Sequence, residues 1–158
     1  MSLGKYLGRD LLTGFVFLLI QASLIRHLVI WNLETDIVFV FFLWLATVRE
    51  RTHVLVVTAV VALFADILFD TWGIRLFSAT FVMLIFHSFL FDPNEQKLSS
   101  GSLFTLIFVI SLVYTLIFLL LASFSGMFLM DISFFAYWIG GSVYLALTAF
   151  ILYILKPE

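Results

Sequence analysis

The sequence predicts an all-α membrane protein, a polytopic bundle of about six transmembrane helices forming one integral membrane domain over residues 1–158. Three observations carry this. Hydrophobic residues make up 64% of the chain and charged residues 11%, with a mean hydropathy of +1.21, against roughly 45–50% and 25% in soluble domains. The apolar residues fall in runs near the ~20 residues that cross a bilayer. The runs are separated only by short polar segments, so the 158 residues leave no room for a soluble catalytic, nucleotide-binding or receptor domain. The absence of Cys excludes disulfides and thiolate chemistry, and no basic tract points to nucleic acid.

The first expected span covers residues 11–31, preceded by Lys5 and Arg9. Gln21-Ala22-Ser23 resembles a signal-peptide cleavage site, but the apolar run continues to Ile30, which favours an uncleaved anchor. The second, 36–53, is difficult, because only a dozen apolar residues precede Arg49-Glu50-Arg51. Either one helix runs from Asp36 to His53 with both arginines snorkelling, or the segment is re-entrant. Charge decides. With six spans, Lys5, Arg9, Arg49, Arg51, Lys97 and Lys156 share one side and only Arg26 and Arg75 face the other, which the positive-inside rule favours, with both termini cytoplasmic. A tight hairpin through Arg49-Glu50-Arg51 then joins the second and third helices.

The remaining spans are expected at 54–72, 73–91, 103–124 and 132–155, with residues 92–102 as the longest loop. Asp66 and Asp70 sit four apart at the end of the third, on one helix face. Asp at mid-membrane costs roughly 2.5–3.5 kcal/mol on insertion scales, so such a residue faces protein with a partner. Trp72, Gly73 and Arg75 follow, as interfacial anchor, tight turn and cation. Depth suggests pairing Arg26 with Asp66 and Arg75 with Asp70. That polar cluster reads as an ion-pair network locking helices together, as the lining of a solute or proton pathway, or as a contact for a protein partner.

Other constellations are weaker. Phe64-Ala65-Asp66 lacks the glycines of an intramembrane aspartyl-protease motif, and Asp36 with Asp66 makes a poor dyad. His27 lies on the opposite side from His53 and His87, so no three-histidine metal site assembles. No cofactor is expected. Ala136, Gly140, Gly141 and Ser142 put small residues on the last helix, a face for close helix packing, a partner helix or a second copy of the chain. The clusters Phe39, Phe41, Phe42, Trp44 and Phe134, Phe135, Tyr137, Trp138 are further docking candidates, unless they face lipid or the bundle's own core.

A membrane helix ending in Asp66, then a short turn, Gly73 and a new apolar helix beginning Ile74-Arg75-Leu76, together with Asp36 at the start of the second span, resembles the MreD family of bacterial rod shape-determining proteins. Ala62 replaces the family's earlier glycine, Phe69-Asp70-Thr71-Trp72 its small turn, and Thr35 its proline. The resemblance implies a fold similar to the solute-binding components of energy-coupling-factor transporters. It implies a non-enzymatic scaffold of the cell-elongation machinery in the inner membrane, binding the single-span protein MreC and linking MreB filaments to the enzymes of peptidoglycan synthesis. The alternative is a transport component whose Arg26, Asp66, Asp70 and Arg75 line a solute pocket.

Overall fold

The computed structural model describes residues 3–23, 36–91, 100–127 and 131–154. These form six helices: α1 (Leu3–Ser23), α2 (Ile37–Val48), α3 (Arg51–Phe69), α4 (Ile74–Leu90), α5 (Ser100–Phe124) and α6 (Ile132–Ile154). Arg51–Phe69, Gly101–Phe124 and Ile132–Tyr153 are long and apolar enough to cross a membrane, so the chain is a membrane protein. Helices α2 and α4 are apolar but shorter.

The fold is built around α2. Its sequence, IVFVFFLWLATV, is apolar all round, which marks a helix enclosed by protein or lipid on every side. Here protein encloses it: Phe39, Phe41, Phe42 and Leu45 are each at most 1% exposed, and the helix packs on α1, α3, α4 and α6. The fifth neighbour is reached through Phe39, which stacks on Tyr114 of α5 with ring centroids 3.6 Å apart. Phe39, Phe41 and Phe42 are therefore core, and no partner can dock on them. In the other aromatic group Phe134 is buried while Phe135 is exposed.

Twelve residues rise only ~18 Å, too little to cross a ~30 Å hydrocarbon core. Side chains of the bundle satisfy the first N–H groups of α2. The Gln21 side-chain oxygen accepts from Val38 N at 3.0 Å and Asp36 Oδ1 from Phe39 N at 3.1 Å, two of the four donors that every helix start leaves without an internal acceptor.

Two expected boundaries change. A single helix over 36–53 with snorkelling arginines does not form: Arg49 and Glu50 are extended (ψ 153° and 151°) and α3 starts at Arg51. The hairpin through these residues is as expected. Neither arginine reaches away from the bundle, since Arg49 turns to Asp10 and Arg51 to the Leu84 carbonyl oxygen. Helix α1 begins at Leu3, eight residues before the expected start, because Asp10 is buried against partners rather than solvated. Halfway along α1, a Cβ at Gly14 would lie 2.7 Å from Val61 Cγ2 and 3.0 Å from Phe41 Cε1. Only glycine lets α1 approach α2 and α3 this closely.

Candidate functional site

Helix α3 ends at the residue the sequence singles out. Asp70, its C-cap, is left-handed (φ 54°), Trp72 is also positive (φ 51°), and Gly73 at φ 83° is the N-cap of α4. A glycine suits that backbone but carries no side chain to accept the first N–H groups of α4. Asp66 supplies the acceptor from the preceding helix. Its Oδ1 accepts from Arg75 N at 3.0 Å and from the Thr71 hydroxyl, and its Oδ2 from Leu76 N at 2.8 Å. The backbone carbonyl of the same residue accepts from Thr71 N. Asp66 thus closes the α3–α4 turn and places its charge at the positive end of the α4 dipole. At 5% exposure it is tolerated because donors surround it.

The Arg75 side chain leads elsewhere. Its Nη1 donates to Asp36 Oδ2 at 2.9 Å, with both side chains largely buried. The guanidinium lies over the Phe69 and Phe118 rings, 4.8 and 5.6 Å from their centroids. Tyr114 also donates to Asp36 Oδ2, so one carboxylate binds the start of α2 to α4 and α5. Asp36, Asp66 and Gly73 converge around Arg75: Asp36 takes its side chain, Asp66 its backbone N–H, and Gly73 starts its helix.

This corrects the expected pairings. Arg75 pairs with Asp36 rather than Asp70, whose left-handed backbone ends the helix with the residue exposed. Arg26 and His27 lie outside the described residues. Asp66 is accounted for by hydroxyl and backbone donors. The seven-residue spacing to Gly73 carried that information, because an acceptor one turn before the end of a helix is well placed to cap the next helix across a tight turn.

A second buried cluster sits at the opposite end and escaped sequence reading. Asp10, 3% exposed, accepts from Arg49 Nε at 2.8 Å and lies 2.9 Å from His53 Nε2, with exposed Arg9 at 3.7 Å. Arg49 also lies over the Tyr6 ring at 4.3 Å. His87 Nε2 donates to the Arg49 carbonyl at 2.8 Å. His53 and His87 therefore meet α1 and the α2–α3 turn respectively, not each other. The signal was the Arg49 to His53 spacing, which sets a cation and an imidazole around the start of α3, where the neighbouring acid, Glu50, is exposed.

The small-residue patch on α6 divides. Ser142 is buried and donates to Trp138 O at 2.6 Å, while Trp138 Nε1 donates to Leu112 O of α5 at 2.9 Å. A Cβ at Gly141 would meet Thr115 of α5 at 3.8 Å. Gly140 is partly exposed and Ala136 points outward. A cavity of about 20 Å³, the size of one water, lies among Val40, Leu43, Trp44, Thr47, Ile107 and Tyr153 and touches neither polar cluster. Among the described residues no three His, Asp or Glu side chains gather as metal ligands. What both clusters do chemically is tie helix ends together: Asp36 and Asp10 each take donors from more than one helix, and Asp66 takes its donors from the α3–α4 turn and the start of α4. No family model, no curated protein and no solved structure matches the chain.

Proposed function

We propose that this protein is a non-enzymatic membrane scaffold of the MreD type, which binds a single-span MreC-like partner and thereby links MreB-like filaments to peptidoglycan synthesis. It is multi-pass in the bacterial inner membrane, with both termini in the cytoplasm. The observation that carries the proposal is the convergence of Asp36, Asp66 and Gly73, the positions that bear the family resemblance, on Arg75. Their spacing builds a closed knot joining four helices, and the polar groups are consumed internally. A solute-binding component would instead aim these groups into a cavity, and the cavity among Val40, Leu43 and Trp44 in the described residues lies away from them.

A chain acting through helix contacts offers its outer faces. Helix α6 is the least enclosed of the three long helices, and Phe135, Ile139, Val143 and Leu147 lie exposed along it beside Ala136. Detergent extraction of the chain co-expressed with the MreC-like protein tests the proposal. Retention of that partner, with loss of rod shape when the chain is depleted, is the expected result. A bound small solute and no protein partner would replace the scaffold with the transport reading.

A further inference from the structure

Arg51 opens α3, and its exposed side chain runs along the bundle toward α4. Its Nη2 donates to the Leu84 carbonyl of α4 at 2.7 Å, and Leu84 lies six residues before the end of α4 at Leu90, about 9 Å along the axis. Helices α3 and α4 are antiparallel across the Gly73 turn, so the start of one and the end of the other share a side. The guanidinium is therefore held below the helix end, on the outside of the bundle. Exposed apolar residues lie on the same two helices: Leu84, Ile85 and Phe89 on α4 and Val56 on α3 are 44%, 45%, 62% and 41% accessible. Among the described residues no carboxylate lies within ion-pair distance of it. Arg49, two residues earlier, has Asp10 for that purpose.

An arginine fixed by one backbone bond keeps most of its five N–H donors for another acceptor. At the edge of a bilayer the acceptor that matches a guanidinium by charge and by bidentate geometry is a phosphate, and the exposed apolar residues next to the Leu84 carbonyl suit acyl chains. We propose that the exposed face of α4 beside Arg51 binds an anionic phospholipid, its phosphate on Arg51 and its chains along Leu84 and Ile85. The site differs from a general basic fringe in being anchored at one carbonyl below the helix ends. This inference requires only that the chain is a membrane protein and stands apart from the scaffold proposal.

The test is native mass spectrometry of the full chain released from bilayers of equal phosphatidylglycerol and phosphatidylcholine. Wild type should retain phosphatidylglycerol preferentially, and Arg51→Gln should lower that preference about fivefold, the factor matching ~1 kcal/mol per basic residue at an anionic surface. Arg9→Gln, which removes an exposed cation at the same end, should have a smaller effect. An equal loss from Arg9→Gln would reduce the site to diffuse charge, and inorganic phosphate displacing the lipid would show that the apolar face of α4 contributes nothing. Absence of any preference in wild type would overturn the proposal whatever the variants do.

Discussion

Asp66 takes the backbone N–H of Arg75 at 3.0 Å and leaves the guanidinium of the same residue to Asp36, 2.9 Å from it. One arginine is held by two carboxylates through two different groups, and three helix ends are fixed relative to one another.

The two carboxylates should therefore respond differently to mutation. Asp66→Ala removes an N-terminal acceptor and a dipole-compensating charge, and capping losses run about 0.5–2 kcal/mol. Asp66→Asn keeps one acceptor oxygen and should cost less. Thermal unfolding in detergent gives the order. Reversing the charges of residues 26 and 66 together should not rescue stability, because position 66 faces N–H donors that a cation cannot satisfy.

Breaking the Arg75 side-chain contact is the more serious change. Asp36→Asn or Arg75→Gln leaves a largely buried charge without its counter-ion, a loss of about 3–5 kcal/mol in buried pairs. A double-mutant cycle should show strong coupling between Asp36 and Arg75 and none between Asp70 and Arg75. Measurable coupling at Asp70 would reinstate the pairing that sequence depth suggested.

That difference shows what could be read from the sequence. The helical class, the hairpin at Arg49-Glu50-Arg51 and the Gly73 turn follow from hydropathy, charge runs and glycine chemistry, all local signals. The partners of Asp66 and Arg75 do not, because backbone donors have no residue type and Asp36 lies 39 positions from Arg75. The burial of α2 was hidden for a related reason, since Phe39, Phe41 and Phe42 look alike whether lipid or protein surrounds them. Asp10 went unnoticed because it adjoins Arg9 and directly precedes an apolar run, where an acid reads as solvated.

The Asp10 cluster yields its own test. Asp10→Asn weakens the acceptor for both Arg49 and His53, whereas His53→Gln leaves the Arg49 contact in place. Asp10→Asn should be the more destabilising, and hydrogen exchange should show the first turns of α1 and the start of α3 loosening together. Loosening confined to α1 would mean that the cluster does not couple these helices.

At Gly14 the expectation is steric. Alanine there pushes a methyl against Val61 and Phe41, and overpacking of this kind costs about 1–3 kcal/mol. Gly14→Ala should lower thermal stability, and Gly14→Ala with Val61→Ala should recover part of the loss. Gly141→Ala, which meets Thr115 only at ordinary contact distance, should be tolerated.

The central claim is that the buried polar groups serve the fold while recruitment of the partner uses outer helix faces. Folded fraction and co-purification of the MreC-like partner, measured together on Asp36→Asn, Asp66→Ala and Ala136→Trp, test it most directly. The first two variants should lose partner only in proportion to lost folded protein, and Ala136→Trp should lose partner while remaining folded. A fully folded Asp36→Asn or Asp66→Ala chain that no longer binds its partner would contradict the account and make the polar knot itself the working site.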